Sequence, residues 1–312
     1  MLRDHGGGLD AAIARHGGQR ADWLDLSTGI NPLPYPVDAL EQEAWTALPD
    51  RAAQDALIRA ARAFWQVPEG AAILAAPGAS SLIARLPGLA QPGTVHIPAP
   101  TYNEHAAGFA AHGWSVTATA PVRPDARVIV HPNNPTGHFY GADDLGAPLT
   151  VIDESFCDIA PERSLVAHAT RPGHIVLKSF GKFWGLAGLR LGFAIGPEPL
   201  IGQLQEMLGP WPVSGPALAI GARALGDQTW AEATRDRLST DAARIDALML
   251  RAGAEAAGGT SLFRLYRVET ASDWQDRLAA HRILGRVFPY ADDLIRLGLP
   301  TPEGWAQLER VL

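Results

Sequence analysis

The hydrophobic pattern of the chain changes period several times, and each change marks an element. Between Arg51 and Gln66, apolar residues at Ala52, Ala56, Ile58, Ala60, Ala63 and Phe64 recur at the spacing of a helix with one buried face. From there the pattern alternates. Short apolar runs at 73–75, 95–97, 116–119, 128–130, 149–152, 175–177 and 191–195 predict strands, and helical spacing predicts helices over 80–90 and 103–112. Short apolar strands separated by helices indicate a largely parallel sheet covered on both faces. Ahead of this region lies a glycine-rich arm with a short amphipathic helix near 9–15, then Asn31-Pro32 with Pro34 and Pro36, which forbid regular structure. Beyond residue 198 the pattern is mostly helical to 252, and strand-like runs follow at 263–268, 283–287 and 294–299. The fold class expected is therefore α/β. Residues 49–197 form a large domain with a mostly parallel sheet, and 198–312 a smaller α+β domain. The arm, 1–48, contributes to the small domain and to the site.

Composition narrows the function classes. The 312 residues are 47% hydrophobic and carry a formal net charge of −7, so the chain lacks the clustered positive charge that nucleic acid or an anionic membrane would require. Its lone cysteine, Cys157, sits in an apolar run and has no intrachain partner, which points to a reducing compartment. No signal core is visible at the N-terminus, and no apolar run approaches the roughly 20 residues that span a bilayer. A cytoplasmic protein with no membrane partner and no metal is expected.

Of the 26 basic residues only Lys178 and Lys182 are lysines. Arginine carries charge but cannot form an imine, so two lysines within five residues point to a need for a deprotonatable amine. As an isolated pair they could equally be surface charges. The surrounding segment, Leu177 to Gly192, places Ser179 three residues before Lys182, Arg190 eight after, and glycines at 185, 188 and 192 where backbone can close around an anion. This segment resembles the lysine-bearing segment of the class I/II aminotransferases, the fold-type I enzymes of pyridoxal 5'-phosphate (PLP). The resemblance implies that Lys182 bonds to PLP and that Ser179 and Arg190 hold its phosphate. Arginine suits that role because its fork donates two charge-assisted hydrogen bonds.

Upstream, Pro77-Gly78-Ala79-Ser80-Ser81 stands between a strand and a helix, where unpaired N–H groups favour an anion. Ser80 alone reads equally well as an N-cap, Tyr102 as a core tyrosine, and Asp153, at a strand end, as a helix cap or surface ion pair. The resemblance gives each a sharper role. Gly78, Ala79 and Ser80 add phosphate contacts, Tyr102 stacks on the cofactor ring, Asn134 of Asn-Pro-Thr-Gly donates to the phenolic oxygen, and Asp153 pairs with the ring nitrogen. A carboxylate there keeps the nitrogen protonated and the ring electron-accepting. Two positions depart from the family pattern. Phe156 stands where many relatives have a tyrosine, and Leu48 where a tyrosine of a neighbouring subunit usually reaches the phosphate.

Within this superfamily the chain is most similar to the threonine-phosphate decarboxylases of cobalamin biosynthesis, relatives of histidinol-phosphate aminotransferase. His5-Gly6-Gly7, residues 27–32, 153–156 and 178–191 carry the likeness. It implies a small anionic amino acid phosphate as substrate, decarboxylation of L-threonine O-3-phosphate, and a homodimer. The substrate's two anions would need two cationic anchors, and the likeness offers Arg286 and Arg296, with His5 and Asn31 of the arm. Read alone, both arginines are also plausible surface residues of their strands. The alternatives are histidinol-phosphate or another amino acid transamination, a PLP-sensing regulatory module and a scaffold without catalysis. The acidic chain has no room for the basic domain of a DNA-binding regulator, and Lys182 speaks against an inert scaffold.

Overall fold

A computed structural model of the protein describes residues 5–312, so the first four residues of the arm lie outside it. The chain divides into two compact units: residues up to Pro34 with Pro135–Gly137 and Ala233–Leu312, and Tyr35–Asn134 with His138–Glu232. In chain order the elements are α1 (Leu9–His16), β1 (Leu24–Asp25), α2 (Gln42–Thr46), α3 (Arg51–Phe64), β2 (Ala72–Ala76), α4 (Ala79–Ile83), β3 (Thr94–His96) and α5 (Asn103–Ala111). There follow β4 (Ser115–Thr117), β5 (Ala126–Val130), β6 (Leu149–Asp153), β7 (His174–Ser179), β8 (Gly192–Gly196), α6 (Glu198–Leu208), α7 (Gly215–Leu225) and α8 (Gln228–Arg251). The chain ends with β9 (Glu255–Thr260), β10 (Phe263–Arg267), α9 (Ala271–Ala280), β11 (Ile283–Leu284), β12 (Arg286–Phe288), β13 (Ala291–Gly298) and α10 (Trp305–Glu309).

The larger unit is built on a seven-stranded sheet of order β2-β8-β7-β6-β5-β3-β4. Only β8 runs against its neighbours, pairing antiparallel with both β2 and β7. The parallel strands β5, β6 and β7 therefore end side by side, which brings Val130, Asp153 and Ser179 to one edge. Strands this apolar need cover on both faces. On one side Val95, Val128, Val151, Ile175 and Leu177 pack with Leu82, Phe109, Trp114, Ile201 and Leu204 into a single core. In the same unit Trp184 stacks between Phe180 and Trp230, with centroids at 5.0 and 5.3 Å. The helix α3 shows how sequence sets local structure: Asp50 caps its start by accepting from the Ala53 N–H at 2.8 Å, and Leu57, Ala61 and Phe64 form its buried stripe. Such a cap contributes about 1 kcal/mol.

Several sequence expectations are corrected. The helix expected over 80–90 ends at Ile83, and a 3₁₀ turn at Leu86–Leu89 replaces its second half, because Pro87 has no N–H to continue the ladder. The boundary expected at 197/198 falls instead at 232/233, since α6 packs on β2 and β8 and α7 packs on α3. Residues 35–48, expected in the arm, likewise belong with the larger unit.

The smaller unit carries a four-stranded antiparallel sheet of order β12-β13-β10-β9 and a short parallel ladder of β1 with β11. The single strand expected over 283–287 is two, β11 and β12, which separate at Gly285 into different sheets. Strand β9 was not legible because its Glu-Ala-Ala-Gly-Gly-Thr has almost no β-branched residues. Its glycines are needed for a close approach: a Cβ on Gly137 would lie 1.9 Å from the Gly259 carbonyl oxygen, and one on Gly258 2.3 Å from that of Thr136. Among the described residues no helix is long and apolar enough to cross a membrane.

Candidate active site

A cavity of about 270 Å³ opens in the larger unit at the carboxyl ends of β5, β6 and β7. Open parallel sheets bind ligands at this edge. Ala79, Ser80, Tyr102, Asn134, Asp153, Phe156, Ser179, Lys182 and Arg190 all line it. One cavity thus gathers side chains separated by more than a hundred positions in the sequence.

At one end the Arg190 guanidinium donates to Ser80 Oγ at 2.9 Å and to the Ala187 carbonyl at 3.1 Å. Arg190 itself is left-handed, with φ 55°. Gly78, just before α4, leaves room for this arginine: its φ is +81°, and a Cβ there would lie 2.5 Å from Arg190 Nη2. The first N–H groups of α4 have no intrahelical acceptor, and they share this end with a hydroxyl and a guanidinium, a donor set suited to a phosphate.

Asp153, which also lines the cavity, is buried, with 2% exposure. Burial pushes its carboxyl up, but the His105 imidazole at 2.8 Å and the Ser155 hydroxyl and N–H outweigh that and hold it below the usual carboxylate range. The result is a carboxylate held as an anion in the lining of the cavity. His105 was missed by sequence reasoning. It lies on α5, 48 positions before Asp153, and nothing in the local sequence couples the two. Its ring also meets Tyr102 edge-on at 6.1 Å.

Lys182 lies in the loop after β7, with Nζ 5.5 Å from the centre of the Phe156 ring. Phe156 is buried and lines the cavity without a hydroxyl to offer, whereas Leu48 is 69% exposed. The other lysine, Lys178, is buried against Glu154 at 2.6 Å and does not line this cavity. That ion pair raises its ammonium above the usual lysine range despite its burial.

The remaining sequence candidates lie in the smaller unit. Arg286 and Arg296 stand directly opposite each other on β12 and β13. Arg286 donates to the His5 carbonyl oxygen and Arg296 to that of Ser27, each at 2.7 Å. Burial and the Arg286 cation lower the Arg296 guanidinium to about 10. Two facing cations favour an anion between them. Asn31 is buried, and its Oδ1 accepts from Arg237 at 2.6 Å and from the Leu33 N–H at 3.0 Å.

A phosphate-type cradle, a buried carboxylate and a lysine in one cavity fit PLP, whose phosphate and ring nitrogen need those partners. Sequence comparison agrees. The model of the aminotransferase class I and II family matches residues 21–299. A threonine-phosphate decarboxylase of Sinorhizobium sp is 41% identical, with 95% of this chain and 92% of the relative aligned. That of Pseudomonas aeruginosa is 39% identical over 100% of this chain and 97% of the relative. In fold, histidinol-phosphate aminotransferase from Sinorhizobium meliloti, solved in complex with pyridoxal-5'-phosphate, superimposes with a TM-score of 0.80 at 18% identity, covering 99% and 95% of the two chains. Fold and site together define a fold-type I PLP-dependent enzyme. The chain belongs to the class I and II aminotransferase family.

Proposed function

We propose that the protein is a PLP-dependent lyase that decarboxylates L-threonine O-3-phosphate to (R)-1-amino-2-propanol O-2-phosphate and carbon dioxide, in cobalamin biosynthesis. The decarboxylase relatives, near 40% identical over almost the whole chain, support this reading. The structural observation that carries it is the facing pair Arg286 and Arg296, because the substrate brings both a carboxylate and a phosphate. Bound PLP supplies an electron-accepting ring for the pair left behind when the carbon–carbon bond breaks.

The chain's own residues do the rest. Arg190, Ser80 and Ser179, with Gly78 and Ala79, would hold the cofactor phosphate. Asp153, kept anionic by His105 and Ser155, would hold a proton on the ring nitrogen. Asn134 would donate to the phenolic oxygen, and Tyr102 would cover the ring. Lys182 would bond the cofactor and, once the substrate's amino group had displaced it, would carry the proton returned to the substrate's α-carbon. Arg286 and Arg296 would anchor the substrate's anions, Arg286 held to the His5 carbonyl of the arm, and Asn31 would help close the pocket from the same arm. Binding energy from the distal phosphate orients the α-carboxylate for cleavage, so threonine without phosphate loses turnover as well as affinity. The protein acts as a homodimer in the cytoplasm.

The test is release of carbon dioxide from threonine phosphate with and without 2-oxoglutarate, alongside threonine and histidinol phosphate. Oxo-acid-independent release from threonine phosphate is expected. Oxo-acid-dependent conversion of histidinol phosphate, with no carbon dioxide from threonine phosphate, would make the protein a transaminase instead.

A further inference from the structure

Asp153 and Ser179 end neighbouring parallel strands, and both line the cofactor cavity. Successive residues alternate across a sheet, so Glu154 and Lys178 share the opposite side. There Lys178 Nζ donates to Glu154 Oε2 at 2.6 Å and lies 3.7 Å from Asp158 Oδ1, with its side chain 2% exposed. Asp158 in turn accepts from the indole N–H groups of Trp65 at 2.8 Å and Trp184 at 3.1 Å. Glu154 also accepts from the Ser164 hydroxyl at 2.6 Å and the Leu165 N–H at 2.5 Å. The Lys182 loop is thus gripped on both sides. Lys178 precedes it, Trp184 follows two residues after Lys182, and both are tied to acids that follow Asp153 by one and five positions.

A metal ion would not account for these groups better. His131, Glu154 and Cys157 bring potential ligand atoms within 4.8 Å of one another, but His131 donates to the Arg163 carbonyl and accepts from the Tyr140 N–H. The Lys178 ammonium already supplies the cation for Glu154. A compact ammonium can address two carboxylates from one point, whereas a planar guanidinium would need a wider slot.

We propose that Lys178, with Glu154, Asp158 and the Trp184 indole, is the positioning device that sets Lys182 against Asp153. Lys178 is then a positioning residue, neither a second PLP lysine nor a surface charge. The inference rests on Lys182 as the lysine that bonds PLP, so the first measurement is peptide mapping of the borohydride-reduced wild-type protein. A label on another residue overturns that assignment and this proposal with it.

With the label on Lys182, the variant that decides is Lys178→Met with Glu154→Gln, which removes one charge of each sign and leaves the buried net charge unchanged. The apo protein is mixed with PLP, and covalent bond formation is followed by visible absorbance and borohydride trapping beside non-covalent affinity. The double variant should bind PLP with wild-type affinity, because the phosphate cradle is untouched. It should form the covalent bond at least about tenfold more slowly and lose a similar factor in kcat at unchanged KM, the cost of a misplaced reacting group. Lys178→Arg should not restore either rate. Wild-type bond formation and kcat in the folded double variant would overturn the proposal, as would a defect confined to PLP affinity. Should the double variant fail to fold, Trp184→Phe decides. It keeps an aromatic ring and loses the hydrogen bond to Asp158, and a wild-type rate of bond formation there counts against the device.

Discussion

Gly78→Ala should weaken PLP binding although it removes no side chain that contacts the cofactor. Gly78 has φ +81° and ψ 154°, a region held almost only by glycine, so alanine there adds about 1–3 kcal/mol of backbone strain. Its methyl would also stand 2.5 Å from Arg190 Nη2 and 3.0 Å from Cζ. The guanidinium is the movable partner, so the clash is relieved by displacing it from Ser80 Oγ, its neighbour at 2.9 Å. Losing one charge-assisted hydrogen bond to the phosphate costs about 1.5–3 kcal/mol. At 1.4 kcal/mol per decade, the PLP Kd should rise about 10- to 150-fold. Titration of the apo variant with PLP, read by visible absorbance and by tryptophan quenching, measures this directly. Gly188→Ala is the control, since a Cβ at Gly188 meets nothing within 4 Å and its φ is not positive. Wild-type affinity in Gly78→Ala, or equal damage from Gly188→Ala, would refute the reasoning.

Lys182→Ala should lose the borohydride-trappable bond to PLP, whereas Lys178→Ala should keep it but lose about 3–5 kcal/mol of stability, because Glu154 and Asp158 remain buried without their cation; trapping and thermal melts read the two effects separately. Asp153→Ala should keep PLP and lose most turnover, and a variant that kept turnover would remove Asp153 from the mechanism. The Asp153 carboxyl is depressed in the folded protein, so its stabilising contribution is present above the ordinary aspartate range near pH 4 and is lost as pH falls through the depressed value. His105→Ala removes the main lowering influence, so the acid limb of the pH–rate profile should move to higher pH, and an unmoved limb would exclude His105 from this role. Light scattering should give a homodimer, and a fully active monomer at working concentration would refute the dimer.

Much of the larger unit was legible because its buried strands are short apolar runs with unambiguous periods. The residues named for the cofactor, from Ala79 to Arg190, meet in one cavity because strand ends and the loops after them are neighbours in a parallel sheet. What could not be read was lateral. Nothing near Asp153 in the sequence announces His105, and Lys178 looked like a companion of Lys182 until alternation along β7 placed it beside Glu154. The unit boundary was misplaced for a similar reason: α6 and α7 are helical like α8, and only packing against β2, β8 and α3 assigns them to the larger unit.

The Asn-Pro-Thr-Gly turn shows that the first and last letters of one signature can be required for unrelated reasons. Asn134 lines the cofactor cavity, whereas Gly137 is fixed by the backbone of β9 pressed against it. A saturation scan scored on growth would rank both positions as intolerant and would merge chemistry with crowding. Scored on protein abundance, the same scan would part them: substitutions at 137 should deplete the protein itself, and substitutions at 134 should leave it abundant and inactive.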